Sequence, residues 1–141
     1  NPEKDDTDTE YALRFAIGRG ATKITVLGGT GSRLDHVIGN VVLLGVGLEK
    51  NVSIELLDTH NKIKMVNSSL SIRKDERFGK YLSVIPITGK ADGVTITGVK
   101  YPLDNYDMRG FNTLGISNEI VDDEAAITVK NGIVLVIESR D

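Results

Sequence analysis

The sequence predicts two kinds of architecture in one chain: an α/β segment over residues 1–50 and an all-β domain of sandwich type over residues 51–141. Two observations carry this. In the first fifty residues a helical pattern, a short β-branched run, a glycine turn and a second helical pattern follow one another, which is the grammar of an α/β protein. After Asn51 the helical periodicity stops, and short β-prone runs recur at regular spacing between polar turns.

The first helix is predicted over residues 7–19, where Ala12, Leu13, Ala16 and Ile17 recur at helical spacing without a proline. Thr7 or Asp8 serves as its N-cap, acidic side chains occupy the first turn where the helix dipole favours them, and Gly18 and Gly20 stop it. Lys23–Leu27 reads as a strand, closed by Gly28-Gly29-Thr30-Gly31. Residues 35–49 form a second helix with Val37, Ile38, Val41, Val42 and Leu44 or Leu48 on its apolar face. In the second half, strands are predicted over residues 52–57 and 62–66 around a polar turn at residues 58–61, then over 69–73, 80–86, 93–99, 125–130 and 132–138. Asn131-Gly132 signals a hairpin between the last two, since both residues tolerate positive φ. A lone strand at Lys23–Leu27 has no ladder partner in the α/β segment. Its partners are therefore expected upstream of Asn1, with the first segment the C-terminal part of a larger domain.

Composition narrows the function classes. Hydrophobic residues make up 40% and charged residues 26%, the balance of a globular protein. Lysine and arginine total 17 against 20 acidic residues, a net charge of −3 with no basic stripe, so nucleic acid is not an expected partner. Cysteine is absent, which excludes disulfides and thiol-ligated zinc. The longest apolar stretch, residues 41–48, is too short to span a bilayer, and the expectation is a cytoplasmic protein without a membrane partner.

Three segments carry candidate chemistry. Residues 1–10 are dense in carboxylates at a helix start. Asp5 and Asp8 stand three apart and suit Mg²⁺, a hard cation that takes one or two carboxylates beside phosphate oxygens, while Lys4 and the helix-start amides suit the phosphate itself. The same residues also fit a solvated N-cap segment. A calcium loop is excluded, because Tyr11 stands where that loop needs glycine. The second segment, Gly28-Gly29-Thr30-Gly31-Ser32-Arg33-Leu34-Asp35-His36, lies between strand and helix, where α/β proteins bind phosphates. It lacks the Gly-Lys-Ser/Thr ending of a Walker loop, and Leu34 replaces the third glycine of the dinucleotide fingerprint. Its glycines permit close backbone approach, Arg33 offers a bidentate fork, and Asp35 can accept from a ribose hydroxyl or pair with Arg33 in an ordinary turn. His36 and Asn40 share one face of the following helix. The third segment, around Gly115, Ser117 and Asn118, presents a hydroxyl and an amide that a small polar ligand or a plain turn would equally use.

Taken in order, the patterns Pro2-Glu3-Lys4-Asp5-x-Thr7-Asp8-x-Glu10-x-Ala12-Leu13, Gly28-x-x-Gly31-x-Arg33-x-Asp35-His36-x-x-x-Asn40 and Gly115-x-Ser117-Asn118 resemble those of the thiamine pyrophosphokinase family over the whole chain. The resemblance implies a partial Rossmann-like catalytic domain followed by a β-sandwich that binds thiamine and forms a homodimer. It implies diphosphoryl transfer from ATP to the hydroxyl of thiamine, with Mg²⁺ held by Asp8 together with Asp5. Lys4, Thr7, Arg33, Asp35, His36 and Asn40 would line the nucleotide side, and Ser117 and Asn118 the thiamine pocket. Asp5, Asp8 and Arg33 would be the catalytic groups. The family's acidic metal-binding motif upstream of the Glu-Lys-Asp segment is not in this chain. That departure keeps open a non-catalytic thiamine-binding fragment, and the weak third motif keeps open a pyrophosphokinase for another alcohol.

Overall fold

The computed structural model describes residues 7–141, which fall into two compact units, the first ending at Asp58 and the second running from Thr59 to Asp141. The expected break at residue 50/51 thus lies eight residues early.

In the first unit, helix α1 (Asp8–Gly18) is capped by Thr7, whose hydroxyl accepts from the Glu10 amide at 3.3 Å, and carries Asp8 and Glu10 in its first turn. Leu13 is buried and Ala16 and Ile17 half-buried, whereas Ala12 faces solvent. Strand β1 (Lys23–Leu27) runs into the glycine turn, and helix α2 (Leu34–Lys50) follows. Asn51 ends α2 in the left-handed region at φ 57°. Gly47 permits a close return of the chain, since a Cβ there would overlap the Val52 carbonyl oxygen. Strand β2 (Ser53–Leu57) then pairs in parallel with β1, from Lys23↔Ser53 to Leu27↔Leu57. One edge of β1 is thus paired within the chain, by residues 52–57, which the sequence reading gave to the β domain. A helix between two parallel strands is the ordinary connection for such a pair, and the crossover moves the end of the unit to Asp58.

The buried core of this unit is Leu13, Leu44, Val46, Ile54 and Leu56. Of the apolar face expected for α2, Val37, Val41 and Leu44 turn inward, while Ile38 and Val42 are 62% and 59% exposed among the described residues.

The second unit is antiparallel throughout. Its strands are β3 (Asn61–Val66), β4 (Ser69–Arg73), β5 (Tyr81–Thr97), β6 (Leu103–Arg109), β7 (Glu124–Thr128) and β8 (Asn131–Ser139). The hydrogen-bonded order is β3-β8-β5-β7-β4, with β6 also on β5. The strands expected over 80–86 and 93–99 are one 17-residue strand, β5, whose first half pairs with β8 and whose second half pairs with β7 and β6. Register shifts between Pro86 and Ala91 bend it, so the sheet curls and side chains from β3, β4, β5, β7 and β8 meet in a single core around Leu82, Val94, Ile127 and Val134. The layer expected as a sandwich is therefore continuous through β5.

The hairpin read at Asn131-Gly132 is also corrected. Gly132 does take φ 107°, but β7 and β8 do not pair, because β5 runs between them: Thr95 pairs with Thr128 of β7 and Asp92 with Asn131 of β8. β6, which has no counterpart in the sequence reading, carries Asp104, Asn105 and Asp107, residues that hide a strand from propensity. No helix among the described residues is long and apolar enough to cross a membrane.

Candidate nucleotide site

The first unit concentrates the candidate groups at the C-terminal ends of its two parallel strands. Ligands gather at this edge in α/β sheets, because the turns leaving the strands and the following helix N-terminus face one crevice. Gly28 takes φ 69°, a conformation that a β-carbon would strain. Gly29 sits tight against its surroundings, a Cβ there lying 3.3 Å from both the Asn40 amide nitrogen and Val26 Cγ1. Two side chains tie the turn back. Asn40 Nδ2 donates to the Gly29 carbonyl at 2.8 Å from nearly two turns into α2, and the Thr30 hydroxyl donates to Oδ2 of Asp58, the first residue after β2.

Arg33 caps the start of α2 with extended backbone, and its Nη2 donates to Asp35 Oδ2 at 2.7 Å. Asp35 Oδ1 accepts from the His36 amide at 2.8 Å. The Arg33 guanidinium holds the Asp35 carboxyl below its ordinary range, partial desolvation opposes this, and the His36 amide adds to the lowering. Both side chains of the pair are exposed, at 70% and 66%, so the bridge is screened and the guanidinium can exchange its partner for a bound anion.

Two cavities adjoin along this edge. One, of ≈ 590 Å³, is lined by Thr7, Asp8, Glu10, Asp35, His36 and Asn40 among others, and runs between the start of α1 and the first turns of α2. The other, of ≈ 390 Å³, is lined by Gly28, Gly29, Gly31, Ser32 and Arg33. Thr9, His36 and Asn40 line both, so the cavity that Asp8 lines adjoins the one that Arg33 lines.

Of the residues singled out from sequence, Thr7, Asp8, Arg33, Asp35, His36 and Asn40 are thereby brought together. Lys4 and Asp5 lie outside the described residues. The Thr7 hydroxyl is engaged as a helix cap, and the Asn40 amide on the glycine turn, so both act on backbone in this structure. Thr9, Glu10 and Thr30 stand within the segments singled out from sequence but were given no role of their own, and Asp58 was read only as part of a turn. Asp58 was legible only to a reading that paired the strand before it with β1.

Asp8, Glu10 and Asp35 put hard oxygen donors on the larger cavity. Among the described residues, no three carboxylate or imidazole groups stand close enough to cage a metal. Hard carboxylate oxygens of this kind suit Mg²⁺, which keeps waters and phosphate oxygens among its ligands.

Ser117 and Asn118 lie in the second unit and differ sharply from each other. Ser117 is exposed with φ 61°, and its amide donates to Ser83 Oγ at 3.0 Å. Asn118 is buried. Its Nδ2 donates to the Tyr101 carbonyl at 2.8 Å, and its Oδ1 accepts from the Tyr101 amide at 3.0 Å and the Glu119 amide at 2.9 Å. Its backbone exchanges two 2.8 Å bonds with Leu82. The Asn118 amide thus clamps the 101 segment to the 118–119 segment, and Ser117 alone of the two offers a free-standing hydroxyl. Gly115 is required where it stands, since a Cβ there would overlap the Val84 carbonyl oxygen.

Comparison with known proteins follows the same division. The family described as "Thiamin pyrophosphokinase, catalytic domain" matches residues 1–56, and "Thiamin pyrophosphokinase, vitamin B1 binding domain" matches residues 67–134. The chain is similar to thiamine pyrophosphokinase of Bacillus subtilis, at 39% identity over 140 residues covering 99% of this chain and 65% of the relative. The crystal structure of a Bacillus subtilis thiamine pyrophosphokinase superposes with a TM-score of 0.92 at 38% identity, again over 99% of this chain and 65% of that one. A thiamin pyrophosphokinase family protein from Enterococcus faecalis gives a TM-score of 0.85 at 32% identity, over 100% of this chain and 67% of its own. The chain therefore spans about two thirds of the length of these relatives.

Proposed function

This chain belongs to the thiamine pyrophosphokinase family, and from that premise we propose that the protein transfers the diphosphoryl group of ATP to the hydroxyl of thiamine, giving thiamine diphosphate and AMP. The observation that carries the reading is the adjoining pair of cavities, one lined by Asp8 and Asp35 and the other by Arg33 and the glycine turn, with Thr9, His36 and Asn40 shared between them. A polyphosphate laid along the pair meets a guanidinium and glycine backbone on one side and hard carboxylate oxygens on the other.

In the proposed reaction the hydroxyl oxygen of thiamine attacks the β-phosphorus of ATP in line with the departing α,β-bridging oxygen. One P–O bond forms, one breaks, and AMP leaves. Such transfers depend chiefly on positioning and on neutralising phosphate charge. Arg33 is the described side chain placed for that charge, its bridge to Asp35 exchanging for phosphate oxygens. Asp35, released by Arg33, is then free to accept from a ribose hydroxyl. Asp8, together with Asp5, is proposed to hold Mg²⁺, which when bound supplies Lewis-acid neutralisation of the phosphate oxygens. One of the two carboxylates accepts the proton of the attacking hydroxyl. Lys4 and His36 complete the nucleotide side.

Thiamine is assigned to the second unit, with the Ser117 hydroxyl as its contact and Asn118 shaping the loop that presents it. The finer architecture proposed is a partial Rossmann-like domain followed by a sandwich-derived one. The proposed assembly is a homodimer, supported by the exposed Tyr106, Phe111, Leu114 and Ile116, in a cytoplasmic protein. The deciding experiment incubates the full-length protein with ATP, Mg²⁺ and thiamine and follows AMP and thiamine diphosphate together. AMP formed only with a different alcohol, such as a pterin carbinol, would reassign the acceptor. No AMP with any alcohol would remove the transferase reading.

A further inference from the structure

The glycine turn is held from two sides, and one of the two holders belongs to no motif. Asn40 reaches it from α2. Asp58, the residue directly after β2, reaches it from the strand beside β1 by accepting from the Thr30 hydroxyl. The anchor is firm because Leu57, its neighbour, is locked in parallel register with Leu27, the residue that opens the turn. The two strand ends are therefore fixed against each other, and the Thr30–Asp58 bond bridges the loop leaving one to the residue leaving the other.

The turn needs such a bridge. Gly28 and Gly31 have nothing within 4 Å of a notional Cβ, so no side-chain packing holds those positions, and glycine gives up more backbone freedom on ordering than any other residue. Gly28, Gly29, Gly31 and Arg33 nonetheless all line the smaller cavity. A loop of this composition, left loose, would have to be ordered each time a ligand bound.

We propose that Asp58 is a positioning residue for the diphosphoryl transfer, acting through the Thr30 hydroxyl to pre-order the Gly28–Arg33 turn for the phosphates of the nucleotide. This rests on the nucleotide reading above. Asp58 does not touch substrate in this scheme. Its carboxylate is engaged by the hydroxyl and held on the strand end, and its effect falls on nucleotide binding and leaves thiamine recognition alone.

The test uses the full-length protein and titration calorimetry with an ATP analogue whose α,β bridge is a methylene group. Thr30→Val and Asp58→Ala are each expected to weaken analogue binding about tenfold, the scale of one lost hydrogen bond that ordered a loop. The double variant is expected to bind no more weakly than Asp58→Ala, because that variant already removes the bond to Thr30. Thr30→Ser keeps the hydroxyl and is expected to recover affinity to within about twofold of the parent. In turnover assays the KM for ATP rises and that for thiamine does not, which a general loss of folded protein would not produce. Variants that bind the analogue as the parent does, or losses that add in the double variant, overturn the positioning role. Should such variants come from a parent that still releases AMP with thiamine, the transferase reading stands without it. A parent that binds the analogue but releases no AMP overturns the transferase reading, and the Thr30–Asp58 tie is then judged on the titrations. A parent that binds no nucleotide overturns both.

Discussion

Replacing Asn118 by alanine removes the clamp between two loops of the second unit, and its cost follows from the bonds it makes. Three side-chain hydrogen bonds disappear: Nδ2 to the Tyr101 carbonyl, and Oδ1 from the Tyr101 and Glu119 amides. Each leaves a backbone group without its partner. A fully buried orphan costs about 1–3 kcal/mol, and Tyr101 lies at an exposed loop, so the low end applies to each. The sum is about 3 kcal/mol, a large fraction of the stability of an ordinary domain. Asn118→Asp grades the effect, since its oxygens still accept from both amides while the donor to Tyr101 is lost and an oxygen faces the carbonyl. It should fall between alanine and the parent at neutral pH. Urea unfolding followed by circular dichroism, with midpoints converted through a common slope, measures both. A loss below about 1 kcal/mol for alanine, or an aspartate variant as damaged as alanine, would refute the clamp.

The remaining predictions concern the cleft. Arg33→Ala is expected to lower turnover by about 10²-fold or more, the scale of one lost charge contact in the transition state, with the fold unchanged because the guanidinium pairs only at the surface. Steady-state kinetics on AMP release checks it. Asp8→Asn is expected to shift the Mg²⁺ dependence of turnover to higher concentration, and an unchanged titration would remove Asp8 as a ligand. The Asp35 carboxyl is expected to titrate below 3.8, and Arg33→Gln to return its midpoint toward that value. The sign follows from the depressed value: the Arg33–Asp35 interaction is complete above pH 3.8 and fades as pH falls through the lowered midpoint, which carboxyl-resolved NMR titration follows.

Local physical chemistry made part of this molecule readable in its sequence. Thr7, the acidic first turn and Gly20 delimit α1 because caps and dipole act within one turn, and Lys23–Leu27 is a strand where its β-branched run and glycine stop place it. That the start of α1 and the glycine turn line adjoining cavities was legible only through the motifs, since periodicity says nothing of which helix start lies near which turn. The partner of β1 was not legible, because pairing is a contact across 30 residues and nothing in residues 52–57 distinguishes a parallel neighbour from the first strand of the next unit.

By itself, then, the sequence determined the order of the elements, the switch from helical to extended texture, and the residue types gathered at the glycine turn, all properties of neighbours along the chain. Tertiary structure alone decided that β2 pairs with β1, that β5 separates β7 from β8, and that Asp58 grips the turn while Asn118 turns inward and Ser117 outward. Those outcomes depend on which groups distant in sequence satisfy one another's hydrogen bonds, and that choice is made by packing in three dimensions.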